Sequence, residues 1–271
     1  MKIVKLMGGL GNQMFQYAFG WALSKKYKHV YFDKTAFDNK NAKTPRNYEL
    51  SLFPELQISF KTKNKFLPFW QKEEKDPFGF DETLFKAHIN ELYEGYFQCE
   101  KYFANISDEI RQIFTFPEFD KQDVINKKIA LKISKTENPV FIHIRRGDYV
   151  ELDGWLLEQE YYRRAVKYIK EHIKNPTFFL FSDATADYIE HNLDIGCDFE
   201  YVGTHNSDTN QNFRDMQLMS LCKHAIIANS SFSWWGAWLI NNPNKIVCAP
   251  SPWIEYDSKL VCDSWVKIQR P

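Results

Sequence analysis

A histidine, two arginines, a glycine and an aspartate fall within six residues, His143-Ile144-Arg145-Arg146-Gly147-Asp148. Arginine carries a permanent, planar charge that meets phosphate oxygens two at a time; histidine and aspartate can donate, accept or take up a proton. The apolar run Pro139-Val140-Phe141-Ile142 ahead of them reads as a buried strand, so the charged cluster falls at its C-terminal edge. Ligands of parallel α/β sheets bind at that edge. The cluster points to a phosphorylated ligand, with Arg145 on its diphosphate and His143 and Asp148 nearby. Side chains alternate along an extended chain, so at most one of Arg145 and Arg146 faces the ligand directly. An arginine pair bonded to helix C-termini is the bland alternative.

Three further segments add polar groups at predicted strand ends. In Asn229-Ser230-Ser231-Phe232-Ser233 a strand runs into a helix, and hydroxyls and backbone N–H groups there suit an anion; serine capping gives the same pattern. In Phe181-Ser182-Asp183 the carboxylate could accept from the N1–H and exocyclic amine of a guanine, or cap the next helix. Gly8-Gly9-Leu10-Gly11-Asn12-Gln13 shares part of a dinucleotide fingerprint, with Asp33 near the ribose-binding position, but Met14 replaces the third glycine. A close backbone approach to a ligand fits this turn better than NAD binding, and Asn12 and Gln13 add amide groups. Trp234, Trp235 and Trp238 could stack on a base or sugar; core packing is expected of at least two.

No Asp-x-Asp occurs, and His88, His143, His172, His191 and His205 lack paired ligand spacing, so no metal site is expected. A bound diphosphate would then be neutralised by arginine and backbone donors. No Ser-His-Asp or nucleophile-elbow pattern occurs.

These groups need elements to hold them. The 271 residues suffice for one large or two medium domains, and an aromatic content of 17% argues against disorder. Lys+Arg and Asp+Glu both number 35, without the basic surplus of a general nucleic-acid binder. Five scattered cysteines with no C-x-x-C fit a reduced compartment. The N-terminus is too interrupted for a signal sequence, and the uncharged stretch 225–244 is too polar to span a membrane; a cytoplasmic protein, at most peripheral to a membrane, is expected.

A strand at 2–7, a helix from Met14 to Ala22 and a strand at 30–32 form a β-turn-α-β unit. Ser107 is expected to cap a helix through Phe114, with Asp108 and Glu109 in its first turn. Residues 38–81 show no clear period. The polar stretch 135–139 marks the expected boundary between domains 1–136 and 137–271. Beyond it strands are expected at 140–144, 177–182, 199–202, 225–229 and 245–249, and helices at 159–173, 187–193, 212–222 and 234–240. This alternation predicts a doubly wound parallel sheet. Two such α/β domains would face each other across a ligand cleft.

The motifs resemble a known family. His143-Ile144-Arg145-Arg146-Gly147-Asp148-Tyr149 is similar to the H-x-R-R-G-D-Y motif of the α-1,2-fucosyltransferases, glycosyltransferase family 11. Residues 215–239 resemble the family's C-terminal signature, and 8–18 its N-terminal one. The resemblance implies a GT-B-type fold of two Rossmann-like domains facing across a cleft. It implies GDP-β-L-fucose as donor, the 2-hydroxyl of a terminal galactose as acceptor, inversion to an α linkage, and no metal or cofactor. By the same resemblance Arg145 contacts the β-phosphate, His143 lies near the guanine and Asp183 reads its edge. The loop of Asn229, Ser230, Ser231 and Ser233 would hold phosphate oxygens, and Gly11-Asn12-Gln13 would face the fucose from the other domain. Ala184 departs from the family, which often carries a second aspartate there.

Arg145 and the serine loop would stabilise the charge that builds on the leaving diphosphate. Asp148 is the first candidate for the base on the acceptor hydroxyl, or else it only orients Arg145. The expected partners are GDP-fucose and a galactose-terminated oligosaccharide or lipid-linked glycan, with a peripheral membrane contact compatible and no nucleic acid. The rivals are another GDP-fucose-dependent fucosyltransferase, and a nucleotide- or glycan-binding module without activity.

Overall fold

Short apolar runs become parallel strands and the amphipathic segments between them become helices, in two separate units, Met1–Pro117 and Glu118–Pro271. The computed structural model describes residues 1–39, 45–63, 67–76, 79–86, 88–208, 211–254 and 259–271, without the side chains of Asp148, Ser207 and Asp208. The division falls ahead of the boundary expected at 136/137.

The first unit contains β1 (Lys2–Lys5), α1 (Leu10–Ser24), β2 (Val30–Asp33), β3 (Trp70–Glu73), β4 (Glu91–Glu94) and α2 (Ser107–Ile113). The strands run parallel in the order β2-β1-β4-β3. The β1–α1–β2 unit is the one read from sequence. Helix α1 is buried on most sides; Phe19 stacks on Phe97 at 4.1 Å and meets Tyr93 and Tyr102 edge-on at 5.4 and 5.3 Å. Gly20 lets α1 approach β2, since a Cβ there would lie 2.5 Å from the Phe32 ring.

Strands β3 and β4 escape the apolar pattern for physical reasons. β3 is an edge strand, mostly exposed. β4 carries a fully buried carboxylate, Glu91, which accepts from Lys2 Nζ at 2.8 Å and from the Tyr93 hydroxyl at 2.6 Å. A buried ion pair takes the place that an apolar side chain would mark. Ser107 is not the cap of α2: it is the first helical residue, and Ile106 holds the cap position without a side-chain bond. Glu109 in the first turn instead accepts from Trp21 Nε1 at 3.0 Å and pairs with Lys25 at 2.5 Å.

The second unit contains α3 (Val124–Lys135), β5 (Pro139–Ile144), α4 (Gln159–His172), β6 (Thr177–Ser182), α5 (Ala186–Asn192), β7 (Glu200–Tyr201), α6 (His205–Asp208), α7 (Phe213–Ser220), β8 (His224–Ile226), α8 (Ser231–Leu239), β9 (Val247–Ser251) and β10 (Val266–Gln269). Helix α3 belongs here because Asn126 Nδ2 donates to Asn206 Oδ1 at 2.8 Å and the helix packs on α7. The six strands are parallel, in the order β10-β9-β8-β5-β6-β7. Counted from β5, that is the doubly wound order 3-2-1-4-5-6, which reverses between β5 and β8. Strand β10 was not foreseen, and β8 is shorter than expected. Helix α4 buries Tyr161, Tyr162, Ala165, Val166 and Ile169 while its arginines and lysines stay outside.

Removing the ring at the centre of the first unit's core, Phe19→Ala, is expected to cost about 3–5 kcal/mol. Denaturant unfolding checks it: the midpoint falls while the denaturant slope is kept.

Candidate active site

The reversal of strand order places three strand ends side by side: those of β5, β6 and β8. In the register, Ile144 is level with Ser182, so Arg145 and Asp183 leave neighbouring strands at the same height. Arg145 Nη1 and Asp183 Oδ2 form an ion pair at 2.7 Å, both side chains about a quarter exposed. The other carboxylate oxygen of Asp183 accepts from the backbone N–H of Arg146, also at 2.7 Å. One carboxylate thus fixes both the guanidinium and the chain that carries it. Gly147 is required beside it, because a Cβ there would lie 2.5 Å from Asp183 Oδ2.

Arg146 points the other way, as alternation predicts, with its guanidinium 3.9 Å from the centre of the Tyr188 ring on α5. Asp183 does not cap α5; Thr185 does, accepting from Tyr188 N at 3.2 Å. Both oxygens of Asp183 are engaged by the arginine segment, so here its carboxylate orients Arg145. Asp148 lies in the single 3₁₀ turn Gly147–Glu151, and its side chain is outside the described residues.

Tyr149, the last residue of the motif, links β5 to β8. Its ring lies 5.5 Å from the Arg145 guanidinium and 5.1 Å edge-on from Trp155, and its hydroxyl donates to Asn229 O at 3.1 Å. Asn229 Nδ2 in turn donates to Trp155 O at 2.8 Å. Tyr149 and Trp155 were not picked out as site residues. Tyr149 has a signal as the last residue of the motif; Trp155, in an irregular segment, has none.

The serine loop divides. Ser230 caps α8, accepting from Phe232 N at 3.3 Å. Ser233 is fully buried and donates to the Ala228 and Ser230 carbonyls at 3.1 and 3.2 Å, so it braces the loop. Ser231, half-buried, begins α8, whose first turn carries no acidic side chain. This helix N-terminus directly follows the β8 end and presents its amides and positive dipole end beside Arg145's strand. Trp234, Trp235 and Trp238 are all buried against one another.

His143 is buried, its ring centroid 5.9 Å from that of Phe232, and no group among the described residues bonds its Nδ1. Burial, then the charge of Arg145, pushes its pKa down to about 3, so the imidazole is neutral.

In the first unit the glycine turn is built as a close-approach element. Gly8 has a φ of +77°, and a Cβ there would lie 2.6 Å from Asn12 Nδ2. Asn12 Oδ1 accepts from Gln98 Nε2 at 2.7 Å. Gln13 is fully buried: its Nε2 donates to Gly8 O and Asn47 O at 2.9 and 2.8 Å, and its Oε1 accepts from Glu49 N at 2.9 Å. Gln13 therefore braces the turn from inside. Asp33 is taken up by Thr35, accepting from its N at 2.9 Å and its hydroxyl at 2.7 Å. Among the described residues no three His, Cys, Asp or Glu side chains cluster as metal ligands, and no helix is long and apolar enough to cross a membrane.

A doubly wound sheet with an oriented arginine and a helix N-terminus at its reversal point, together with a second α/β unit, belongs to the GT-B fold class. Its fold matches that of NodZ alpha-1,6-fucosyltransferase co-crystallized with GDP, with a TM-score of 0.53 at 15% identity over 87% of this chain and 90% of that one. The profile of Glycosyl transferase family 11 matches residues 1–267, and the chain belongs to that family. It is 32% identical to an alpha-1,2-colitosyltransferase of Escherichia coli, over 99% of each chain. It is 26% identical to the Galactoside alpha-(1,2)-fucosyltransferase 1 of Homo sapiens, over 86% of this chain and 63% of that one.

A neutral His143 makes stability pH-dependent. Its folded pKa of about 3 lies below the unfolded value of 6.5, so the unfolded chain binds the extra proton. Stability is expected to fall as pH drops from 6.5 toward 3, by at most about 1.4 kcal/mol per pH unit from this group. Urea unfolding of wild type and His143→Gln at successive pH values isolates it, since the wild type is to lose stability more steeply on acidification.

Proposed function

We propose that the protein transfers L-fucose from GDP-β-L-fucose to the 2-hydroxyl of a terminal galactose on a glycan, with inversion and without a metal. The observation that carries this reading is the Arg145 guanidinium, held at the β5 end by Asp183 at 2.7 Å where the strand order reverses. Membership of the family, the 26% identity to a galactoside alpha-(1,2)-fucosyltransferase and the GT-B fold support the donor and acceptor named. A GDP-linked colitose is a second donor, favoured by the 32% identity to the colitosyltransferase. A lipid-linked glycan, reached through peripheral membrane contact, is the second acceptor class.

Breaking the sugar–phosphate bond develops positive charge on the sugar ring and negative charge on the diphosphate. Arg145 and the amides at the α8 N-terminus stabilise the diphosphate where that charge appears. Because they are oriented before the reaction, no reorganisation is needed as the bond breaks. Attack comes from the face opposite the leaving group, and the 2-hydroxyl must lose its proton to a base. His143 is unsuited: it is buried, and its pKa of about 3 makes it a weak base. Asp148, three residues after Arg145, is the candidate for that base. Asn12, at the glycine turn, would hydrogen-bond the sugar.

Incubation with GDP-fucose or GDP-colitose and galactose-terminated acceptors, with linkage analysis of the product by NMR, tests the reading. An α-1,2-linked product is expected; nucleotide binding without sugar transfer to any acceptor would overturn it. Arg145→Ala is expected to lower turnover by on the order of 100-fold or more, with unfolding midpoints kept.

A further inference from the structure

Glu74, directly after β3, sits at the C-terminal edge of the first unit's sheet, where its N–H extends the ladder to Glu94 O at 3.1 Å. Its Oε2 turns inward and accepts from the backbone N–H groups of Tyr96 and Phe97, at 2.7 and 3.0 Å. Its Oε1 is buried and bonded by no group among the described residues. Such burial is costly for a carboxylate: it pushes the pKa up to about 7, although the two amides pull it down; Asp76 adds to the rise.

The segment that Glu74 holds is itself unusual. Phe97 has a φ of +53°, a conformation side-chain-bearing residues rarely adopt, while its ring is buried on Phe19 of α1. Gly95 admits the carboxylate, since a Cβ there would lie 2.6 Å from Glu74 Cβ and 2.8 Å from Glu74 Oε2. Both ends of this segment reach the glycine turn. Gly95 O accepts from Gln16 Nε2 at 3.0 Å, and Gln16 Oε1 accepts from Met7 N at 2.9 Å. At the other end, Gln98 Nε2 donates to Asn12 Oδ1 at 2.7 Å, which sets the direction of the Asn12 carboxamide. A strained backbone, a glycine required by sterics and a buried carboxylate thus converge on four residues whose outward bonds hold the start of α1.

We propose that Glu74 is a positioning residue for the sugar-binding turn: by fixing the amides of Tyr96 and Phe97 it aims Gln98, and through Gln98 the carboxamide of Asn12. The proposal rests on the reading that this turn contacts the transferred sugar. Glu74 touches no substrate. It determines which way Asn12 presents its acceptor and donor ends, so its loss misaims the sugar and leaves nucleotide binding, a property of the second unit, unchanged.

The test is a double-mutant cycle on the full chain, with steady-state kinetics and GDP calorimetry for each variant. Glu74→Ala, which removes the acceptor of both amides, is expected to lower kcat by on the order of 100-fold with GDP affinity kept. Gln98→Ala, which cuts the relay without disturbing the buried carboxylate, is to show the same split and carries the test if Glu74→Ala does not fold. Combining either with Asn12→Ala is to lower kcat no further than Asn12→Ala alone. Losses that multiply in the double variants, or a Gln98→Ala kcat within about twofold of wild type, would overturn the positioning role while Asn12→Ala remains impaired. An Asn12→Ala enzyme with wild-type kcat would overturn the reading of the turn and the proposal with it.

Discussion

One carboxylate organises the strand ends where the second unit's sheet reverses its order. Asp183 grips the Arg145 guanidinium with one oxygen and the Arg146 backbone with the other. A lone surface arginine would sample many rotamers, and a diphosphate would have to order it on binding. Here that ordering is already done within the fold. The pair is about a quarter exposed, so water and salt still reach it, and its value lies in orientation more than in stability.

Much of the local sequence is explained by this interaction. Residue 147 is glycine because the carboxylate occupies the space of a side chain. Arg146 stacks outward on Tyr188, which separates two adjacent like charges and ties the start of α5 to the β5 end. Tyr149 carries the same ordering to β8 through Asn229. Three strand ends far apart in the sequence are thereby held together around one guanidinium.

What was legible in the sequence follows from how each feature is encoded. Strands β5 and β6 and helix α4 stand out because apolar periodicity records burial directly, and the doubly wound class follows from their alternation. Arg145 stands out in the sequence by its charge and strand-end place. Its pairing with Asp183, 38 residues away, does not, because it depends on strand order and register, which no local pattern encodes. The Lys2–Glu91 pair hid β4 by putting charge where apolar residues are expected. The polar stretch 135–139, which reads as a linker, lies within the second unit between α3 and β5, while the division into units follows Pro117. Gln13 and Ser233 looked like ligand contacts by type, yet both spend their polar atoms on backbone groups of their own loops.

The tryptophan cluster has an optical consequence. Trp234 lies 5.0 Å from Trp235, 6.0 Å from Trp238 and 5.4 Å from Trp265, close enough for their electronic transitions to couple. The first unit holds Trp21, half-buried and stacked on Tyr17 at 6.0 Å, and Trp70, exposed. Near-ultraviolet circular dichroism should therefore carry a strong contribution from the second unit's tryptophans. The molecule carries an intrinsic spectroscopic label on the half that holds the doubly wound sheet.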